Sequence, residues 1–282
     1  MDNKQIDSLL PSEMALHAES IGVAKVRMPF YKVMVLAILA GSFIALGAVF
    51  FTTVTTDSTM SYGLTRLLGG ISFSLGLVLV IVGGAELFTG NNLIIMALAN
   101  KKLRAGEVLK NWTYVYFGNM LGAFFIVLLI FLSKHYLFDS GKVGLNVLNI
   151  AKTKCEISFV QAIASGVLCN LLVCLAVWLS YSTNSISGKI IVIVFPITAF
   201  VAIGFEHSIA YLYFVPEAIL LLENGSPEFL VLVQNSTQNY DSITWSNFLV
   251  NNLLPVTIGN IIGGALLVGM VYWFVFLRGA KK

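Results

Sequence analysis

The sequence predicts an all-α integral membrane protein with six transmembrane helices in two inverted three-helix repeats, the second and fifth helices being broken. Three observations support this fold class. Of the 282 residues, 57% are hydrophobic and only 11% are charged, whereas ordinary soluble domains carry about 25% charged residues. Six apolar segments follow one another along the chain, and two short motifs occur once in each half. We therefore expect one transmembrane channel domain over 31–282, preceded by a separate N-terminal segment, 1–30.

The apolar segments are of two lengths. Four of them have at least the roughly 20 residues that cross a bilayer: 34–54, 112–132, 159–179 and 248–277. The second (67–99) and the fifth (190–222) contain 33 residues each. As straight helices they would be about 50 Å long, against a hydrocarbon core of about 30 Å. Each of these two segments must therefore bend or break.

Both long segments contain helix breakers beside a carboxylate. Gly83, Gly84 and Gly90 surround Glu86 in the second, while the fifth has breakers around Glu206, namely Pro196, Gly204 and Pro216. Irregular backbone at membrane depth persists only where it is buried in protein or lines a wet cavity, because hydrocarbon cannot satisfy the freed N–H and C=O groups. We expect both breaks to face one interior pathway.

Glu206 and His207 are adjacent in the middle of the fifth segment. An ionisable group near the centre of a membrane is costly, and it marks a functional site by default. The alternative is a buried hydrogen-bonded pair that only holds helices together.

The two halves of the chain share short matches. Gly84-Ala85-Glu86 matches Gly204-Phe205-Glu206 at an offset of 120, and GNMLG (118–122) matches GNIIG (259–263) at an offset of 141. An odd number of spans per half inverts the second half in the membrane. A pair of interrupted segments in such a repeat indicates a permeation or binding site at the midplane.

The basic residues predict the orientation. If both termini lie on one side, that side holds twelve of the 17 lysines and arginines. The other five are Arg66, Lys134, Lys142, Lys152 and Lys154. Because positive residues concentrate on the cytoplasmic side, we expect both termini of this multi-pass protein to be cytoplasmic.

The N-terminal segment predicts a short amphipathic helix. After Pro11, the residues Met14, Ala15, Ala18, Ile21 and Gly22 share one helical face. Such a helix lies on the membrane surface or packs against the mouth of the pathway. A gate and an inert interfacial anchor both fit this pattern.

Three stretches carry a family resemblance: VGGAELFTG (82–90), GVLCNLLVCLA (166–176) and GFEHSIAYLYFVP (204–216). The sequence resembles the formate/nitrite transporter family over nearly its whole length, and within it the bacterial formate channels. The resemblance implies an aquaporin-like fold, a homopentamer with one pore per subunit, and pH-dependent movement of formate across the bacterial cell inner (cytoplasmic) membrane. Because Gly90-Asn91 also resembles nitrite-type members, nitrite or another small monovalent anion is the alternative substrate.

The resemblance also implies individual site residues. His207 would face the pore centre, with Leu87, Phe88 and Thr89 in the mobile loop that breaks the second helix. Lys154 would lie in the outer vestibule. Asn170 and Asn260 would be polar groups near the pathway. The remaining apolar constrictions would be Phe73, Leu77, Val173 and Phe200.

Physical roles follow for these groups. A basic vestibule such as Lys154 raises the local concentration of an anion. His207 either hydrogen-bonds a formate oxygen, with Glu206 fixing its orientation, or transfers a proton so that formate crosses as the neutral acid, which would couple transport to protons. Thr89 donates its hydroxyl from the opposing break, or only caps the following half-helix.

Other function classes find little support in the sequence. Its three histidines are His17, His135 and His207, with no HExxH motif, and its three cysteines form no CxxC pair. We therefore predict neither an enzyme nor a metal or other cofactor. The net charge of +3 is mild and favours no nucleic-acid partner; the expected partners are the anion, membrane lipid and further copies of the chain.

Overall fold

The computed structural model describes residues 8–279, and helices form nearly all the regular structure of that part. Helix α1 (Pro11–Arg27) comes first, followed by α2 (Phe30–Thr55). Within residues 8–279, six helices are long and apolar enough to cross a membrane. The predicted fold class is confirmed.

The first half contains the first broken helix. Helix α3 (Tyr62–Gly83) ends at a break, after which the chain resumes as α4 (Phe88–Asn91), a 3₁₀ turn (Asn92–Ile94) and α5 (Ile95–Ala99). Helix α6 (Ala105–Leu132) then completes the half. The predicted second segment is thus two helical pieces rather than one.

The second half repeats this order. Helix α7 (Lys142–Cys155) links the halves, and α8 (Phe159–Ser180), α9 (Ile186–Ile203) and α10 (Ser208–Asn224) follow, with the second break between α9 and α10. After α11 (Pro227–Asn235), the sixth span covers Asn247–Phe276 and includes α12 (Leu254–Ile261) and α13 (Val271–Phe276). Its other parts, Asn247–Leu253 and Ile262–Met270, are π-helical, which the apolar pattern did not indicate.

Two glycines end the helices that precede the breaks, whereas three of the other predicted breakers do not: Pro196 and Pro216 lie inside α9 and α10, and Gly90 lies inside α4. Membrane helices tolerate such residues where neighbouring groups satisfy the freed backbone. Gly84 follows α3 with φ of 75°, and Gly204 follows α9 with φ of 92°. A left-handed backbone at a helix C-terminus favours glycine, because other residues strain their Cβ there. The GxE match in the sequence therefore marks two equivalent helix ends.

The second repeated motif explains how the helices pack. Gly122 of α6 lies against α2, where a Cβ would overlap the carbonyl oxygen of Ile38. Gly263 of the sixth span lies against α8, where a Cβ would overlap the carbonyl oxygen of Val167. Small residues let membrane helices approach closely, so each glycine brings the third helix of a half against the first.

Helix α1 lies on the face of the protein that also carries the end of α13. We call this face the terminal face, and the face at the other ends of the membrane spans the opposite face. Helix α1 buries most of its predicted apolar side, and Met14, Ala15 and Ala18 pack in a cluster that includes Met96 and Trp178. Gly22 is buried too, while Ile21 is only partly buried. Glu19 is buried as well and pairs with Lys102 at 2.6 Å. Helix α1 is therefore packed onto the protein.

Candidate permeation site

One asparagine secures the first break. The Asn119 side chain on α6 accepts a hydrogen bond from the Phe88 N–H at 2.9 Å. Its Nδ2 donates to the carbonyl oxygens of Glu86 at 2.9 Å and Ala37 at 2.7 Å. The amide thus binds both sides of the break and the neighbouring α2. Backbone groups that lost their helical partners are satisfied by protein rather than by water.

Asn260 repeats this arrangement at the second break. It accepts from the Ser208 N–H at 3.0 Å and donates to the carbonyl oxygens of Glu206 at 3.0 Å and Gly166 at 2.8 Å. The resemblance suggested a polar group near the pathway. In the structure the residue is fully buried, and its contacts hold the backbone of the break.

Each break also carries a buried carboxylate with matched partners. Glu86 pairs with Lys25 at 2.9 Å and accepts from Asn91 at 2.7 Å. Glu206 pairs with Lys154 at 2.6 Å and accepts from Asn252 at 3.1 Å. A buried charge needs a counter-charge and hydrogen bonds to offset its lost hydration. Both ends of the pathway meet this need with one lysine and one asparagine.

Thr89 and His207 meet where the two breaks face each other. Their side chains are nearly inaccessible, and Thr89 Oγ1 lies 3.1 Å from His207 Nε2. The Ala210 N–H donates to His207 Nδ1 at 3.1 Å. Because Nδ1 is an acceptor, the proton of the neutral imidazole is on Nε2. His207 is therefore a hydrogen-bond donor toward Thr89.

Two cavities approach this pair from opposite faces. The cavity on the opposite face is about 260 Å³, and its lining includes His207, Phe73, Phe200 and Lys154. The cavity on the terminal face is about 190 Å³, and its lining includes Leu77, Leu87 and Lys25. Phe73 and Leu77 are four residues apart on α3, or about 6 Å along its axis. About one helical turn separates the cavities along α3.

Of the other predicted constriction residues, Phe73 and Phe200 line the cavity on the opposite face, whereas Phe88 and Val173 line neither of the two cavities that this barrier separates. Phe73 and Phe200 form an edge-to-face pair with ring centroids 5.8 Å apart. Phe88 packs edge-on against Trp112 and Tyr116. Val173 is buried in the same apolar core as Phe73 and Phe200.

Asn170 joins the two halves behind the barrier. Its Nδ2 lies 3.3 Å from the Thr89 carbonyl oxygen and 2.7 Å from that of Asn260. The side chain is fully buried. Its contacts hold α4 against the sixth span.

Four residues that these networks use had no predicted role. Lys25, Asn91, Asn119 and Asn252 were not predicted as site residues. The repeat contained a signal for one of them, since Asn119 matches Asn260, and an amide at both breaks could have been expected from it. Glu86 likewise matches Glu206, but that match does not identify the lysine that pairs with either carboxylate.

The chain has paired broken helices with buried ionisable groups, and cavities reach them from two faces. This combination is typical of a membrane transport protein. A sequence profile of the formate/nitrite transporters matches residues 12–274. The chain is 48% identical to the formate channel FocA of Escherichia coli K12, over 96% of both chains, and 39% identical to the formate channel FocB of that strain, over 99% of both. It belongs to the formate/nitrite transporter family and is a multi-pass membrane protein.

A solved relative has the same fold. The structure described as a pentameric formate channel with formate bound superposes with a TM-score of 0.83 at 44% identity. The match covers 88% of this chain and 98% of that one.

Replacing Asn260 by leucine should destabilise the protein while keeping the number and branching of side-chain heavy atoms. The change leaves the Ser208 N–H and the Glu206 and Gly166 carbonyls without this partner, and each buried unpaired group costs about 1–3 kcal/mol. With about 2–4 °C lost per kcal/mol, we expect thermal unfolding of the purified protein to shift down by about 5 °C or more. Asn235→Leu at the exposed end of α11 is the control. Equal shifts in both variants would contradict this role.

Proposed function

We propose that this protein is a channel that moves formate, chemically unchanged, across the bacterial cytoplasmic membrane. The observation that carries the proposal is the Thr89–His207 contact of 3.1 Å, which lies between cavities that approach from the two faces. The formate channels among its relatives support the choice of substrate.

The two side chains offer donors to a carboxylate. His207 presents Nε2–H, and Thr89 carries a hydroxyl hydrogen that it does not need in order to accept from His207. A formate oxygen that displaces the Thr89–His207 bond accepts from both groups. The N-terminal end of α10 begins beside His207 and adds the positive end of a helix dipole. A small anion therefore finds, between the two cavities, partners that replace its lost water.

Apolar side chains restrict what else passes. Phe73 and Phe200 border the cavity on the opposite face, while Leu77 and Leu87 border the one on the terminal face. Such constrictions exclude a continuous column of water and hydrated ions. Formate is a single carboxylate with no side chain, and its small size fits a barrier whose length is about one helical turn.

The opposite face is extracytoplasmic in this proposal, since the charge distribution puts the termini in the cytoplasm. Lys154 and Arg66 then border the outer cavity, while Lys25 and Ile21 border the cytoplasmic one. Nitrite is the second candidate substrate. The family profile names it, and Gly90-Asn91 fits nitrite-type members equally well.

Thr89→Val tests the binding role with a side chain of the same shape. Losing a hydrogen bond to a charged ligand costs about 1.5–3 kcal/mol, so we expect radiolabelled formate flux in proteoliposomes to fall by about 10- to 100-fold. Thr113→Val is the matched control, because the Thr113 hydroxyl bonds only its own helix and is exposed. Wild-type flux in the Thr89 variant would refute the role.

An imposed pH gradient separates a channel from a proton symporter. A channel lets formate equilibrate passively, whereas accumulation of formate against its gradient under acid outside would make proton transfer through His207 the mechanism. We expect passive equilibration, because a second proton on His207 would break the Nδ1 bond to Ala210. His207→Phe should then lower flux in both conditions. Competition by unlabelled nitrite, measured in parallel, tests the second substrate.

Helix α1 is proposed as a gate at the cytoplasmic mouth. It presents Lys25 to Glu86 at 2.9 Å and is held by Glu19 on Lys102 at 2.6 Å. Glu19→Gln weakens the second attachment, which brings an open state to within about 1 kcal/mol of the closed state and so populates it. We therefore expect formate flux at a fixed pH to rise by about two-fold or more. The exposed Glu13→Gln on the same helix is the control. Unchanged flux in both variants would make α1 an inert anchor.

The active form is proposed to be a homopentamer, as the solved relative is described. Many large apolar side chains of the described residues are exposed, among them Phe117, Phe125 and Phe195, which subunit contacts and lipid would cover. Light scattering of the protein in mild detergent should give a protein mass five times that of the 30.7 kDa chain. A stable mass of one chain would contradict the assembly.

A further inference from the structure

Arg66 and Lys154 are the two cationic side chains that line the cavity on the opposite face. Arg66 is in the second turn of α3, seven residues before Phe73, so both are on the same helical face. Only Lys154 was assigned a role from the sequence. The structure gives the two cations very different surroundings.

The charge of Lys154 is already compensated. Its ammonium lies 2.6 Å from Glu206 Oε1 and 5.1 Å from the centre of the Tyr211 ring. An anion in the cavity therefore meets a neutral ion pair rather than a free positive charge. Asn252 holds the other Glu206 oxygen, which fixes the pair in this arrangement.

Arg66 has no carboxylate partner within 4 Å among residues 8–279. Its Nε donates to the Ala202 carbonyl oxygen at 3.1 Å, and Nη2 donates to that of Val201. The guanidinium also lies over the Phe51 ring, 5.7 Å from its centre. It is thus held in place by uncharged groups and keeps its full positive charge.

The carbonyls that Arg66 covers belong to the last turn of α9. A helix C-terminus is the negative end of its dipole, and this one is at the border of the cavity, so on its own it would repel an approaching anion. A cation at this position cancels the negative potential of the helix end, and the remainder of its charge makes the potential in the cavity positive.

We propose that Arg66, rather than Lys154, supplies the positive potential that draws the anion into this cavity. The inference rests on the proposed function, because it requires an anion to pass. Arg66 acts before the Thr89–His207 barrier and touches neither residue. It therefore affects capture of the anion at low concentration more than the maximal rate.

Substitutions at Arg66 separate charge from hydrogen bonding. Arg66→Gln keeps an N–H donor for the helix end but removes the charge, whereas Arg66→Lys keeps the charge and loses the planar fork. Lys152→Gln is the control, because Lys152 is a half-buried cation of the same face that contacts Gln238 and does not line the cavity.

Initial rates of formate uptake into proteoliposomes would be measured against formate concentration at low and high salt. For Arg66→Gln we expect a half-saturating concentration about 3- to 10-fold higher at low ionic strength. The difference should largely vanish near 0.5 M salt, because the Debye length there is only about 4 Å. The maximal rate should change less than about two-fold, and Arg66→Lys and Lys152→Gln should resemble wild type.

Two results would overturn the proposal. If Arg66→Lys is as impaired as Arg66→Gln and both unfold at lower temperature, Arg66 only caps α9. If Arg66→Gln retains the wild-type salt dependence, the attraction comes from another group. Absence of formate and nitrite flux in the wild type would instead refute the proposed function, and with it this role.

Discussion

The structure depends on one constraint, which is that a helix cannot break inside a membrane unless protein groups bind the freed backbone. Asn119 and Asn260 meet this need with the same three hydrogen bonds. Glycines 122 and 263 support them by bringing their helices close to α2 and α8. Without these contacts two broken helices would leave unpaired N–H and C=O groups in hydrocarbon, where each costs several kcal/mol. Both halves of the repeat thus contain the residues that satisfy the backbone groups of a broken membrane helix.

The two breaks share this backbone arrangement, and among the residues at which they differ one pair stands next to the barrier. Leu87 and His207 occupy equivalent positions at offset 120, both directly before a half-helix and both in extended backbone. One is apolar and the other accepts the Ala210 N–H and donates toward Thr89. The two nearly symmetric halves therefore approach the barrier from both faces. The presence of His207 where the other half has Leu87 places a single polar contact in an otherwise apolar barrier. The proposed selectivity for a small anion rests on that combination.

Composition and segment length were enough to predict six membrane spans, and the excess length of two segments was enough to predict that both are broken. The repeated GxE motif, rather than length, marks the helix ends at Gly84 and Gly204. The sequence also indicated Glu206 and His207, because charged groups are rare in apolar runs. Their partners were harder to find. Lys25 and Asn252 are distant in sequence from the carboxylates they bind. Asn91 is only five residues from Glu86 but is followed by a second asparagine, Asn92. Arg66 stood out only as one of the five cations expected on the other side of the membrane. Pairing of distant side chains depends on helix packing, which periodicity does not specify.

The most direct test of the account is a distance between the anion and the imidazole. Solid-state NMR on protein in lipid, with ¹⁵N-labelled histidine and ¹³C-formate, would measure it, and His207→Asn would assign the signal among the three histidines. We predict a formate carbon within about 4 Å of Nε2, as a hydrogen bond requires, with Nε2 protonated and Nδ1 not. A formate signal that is insensitive to His207 at saturating concentration, or a proton on Nδ1, would contradict the account.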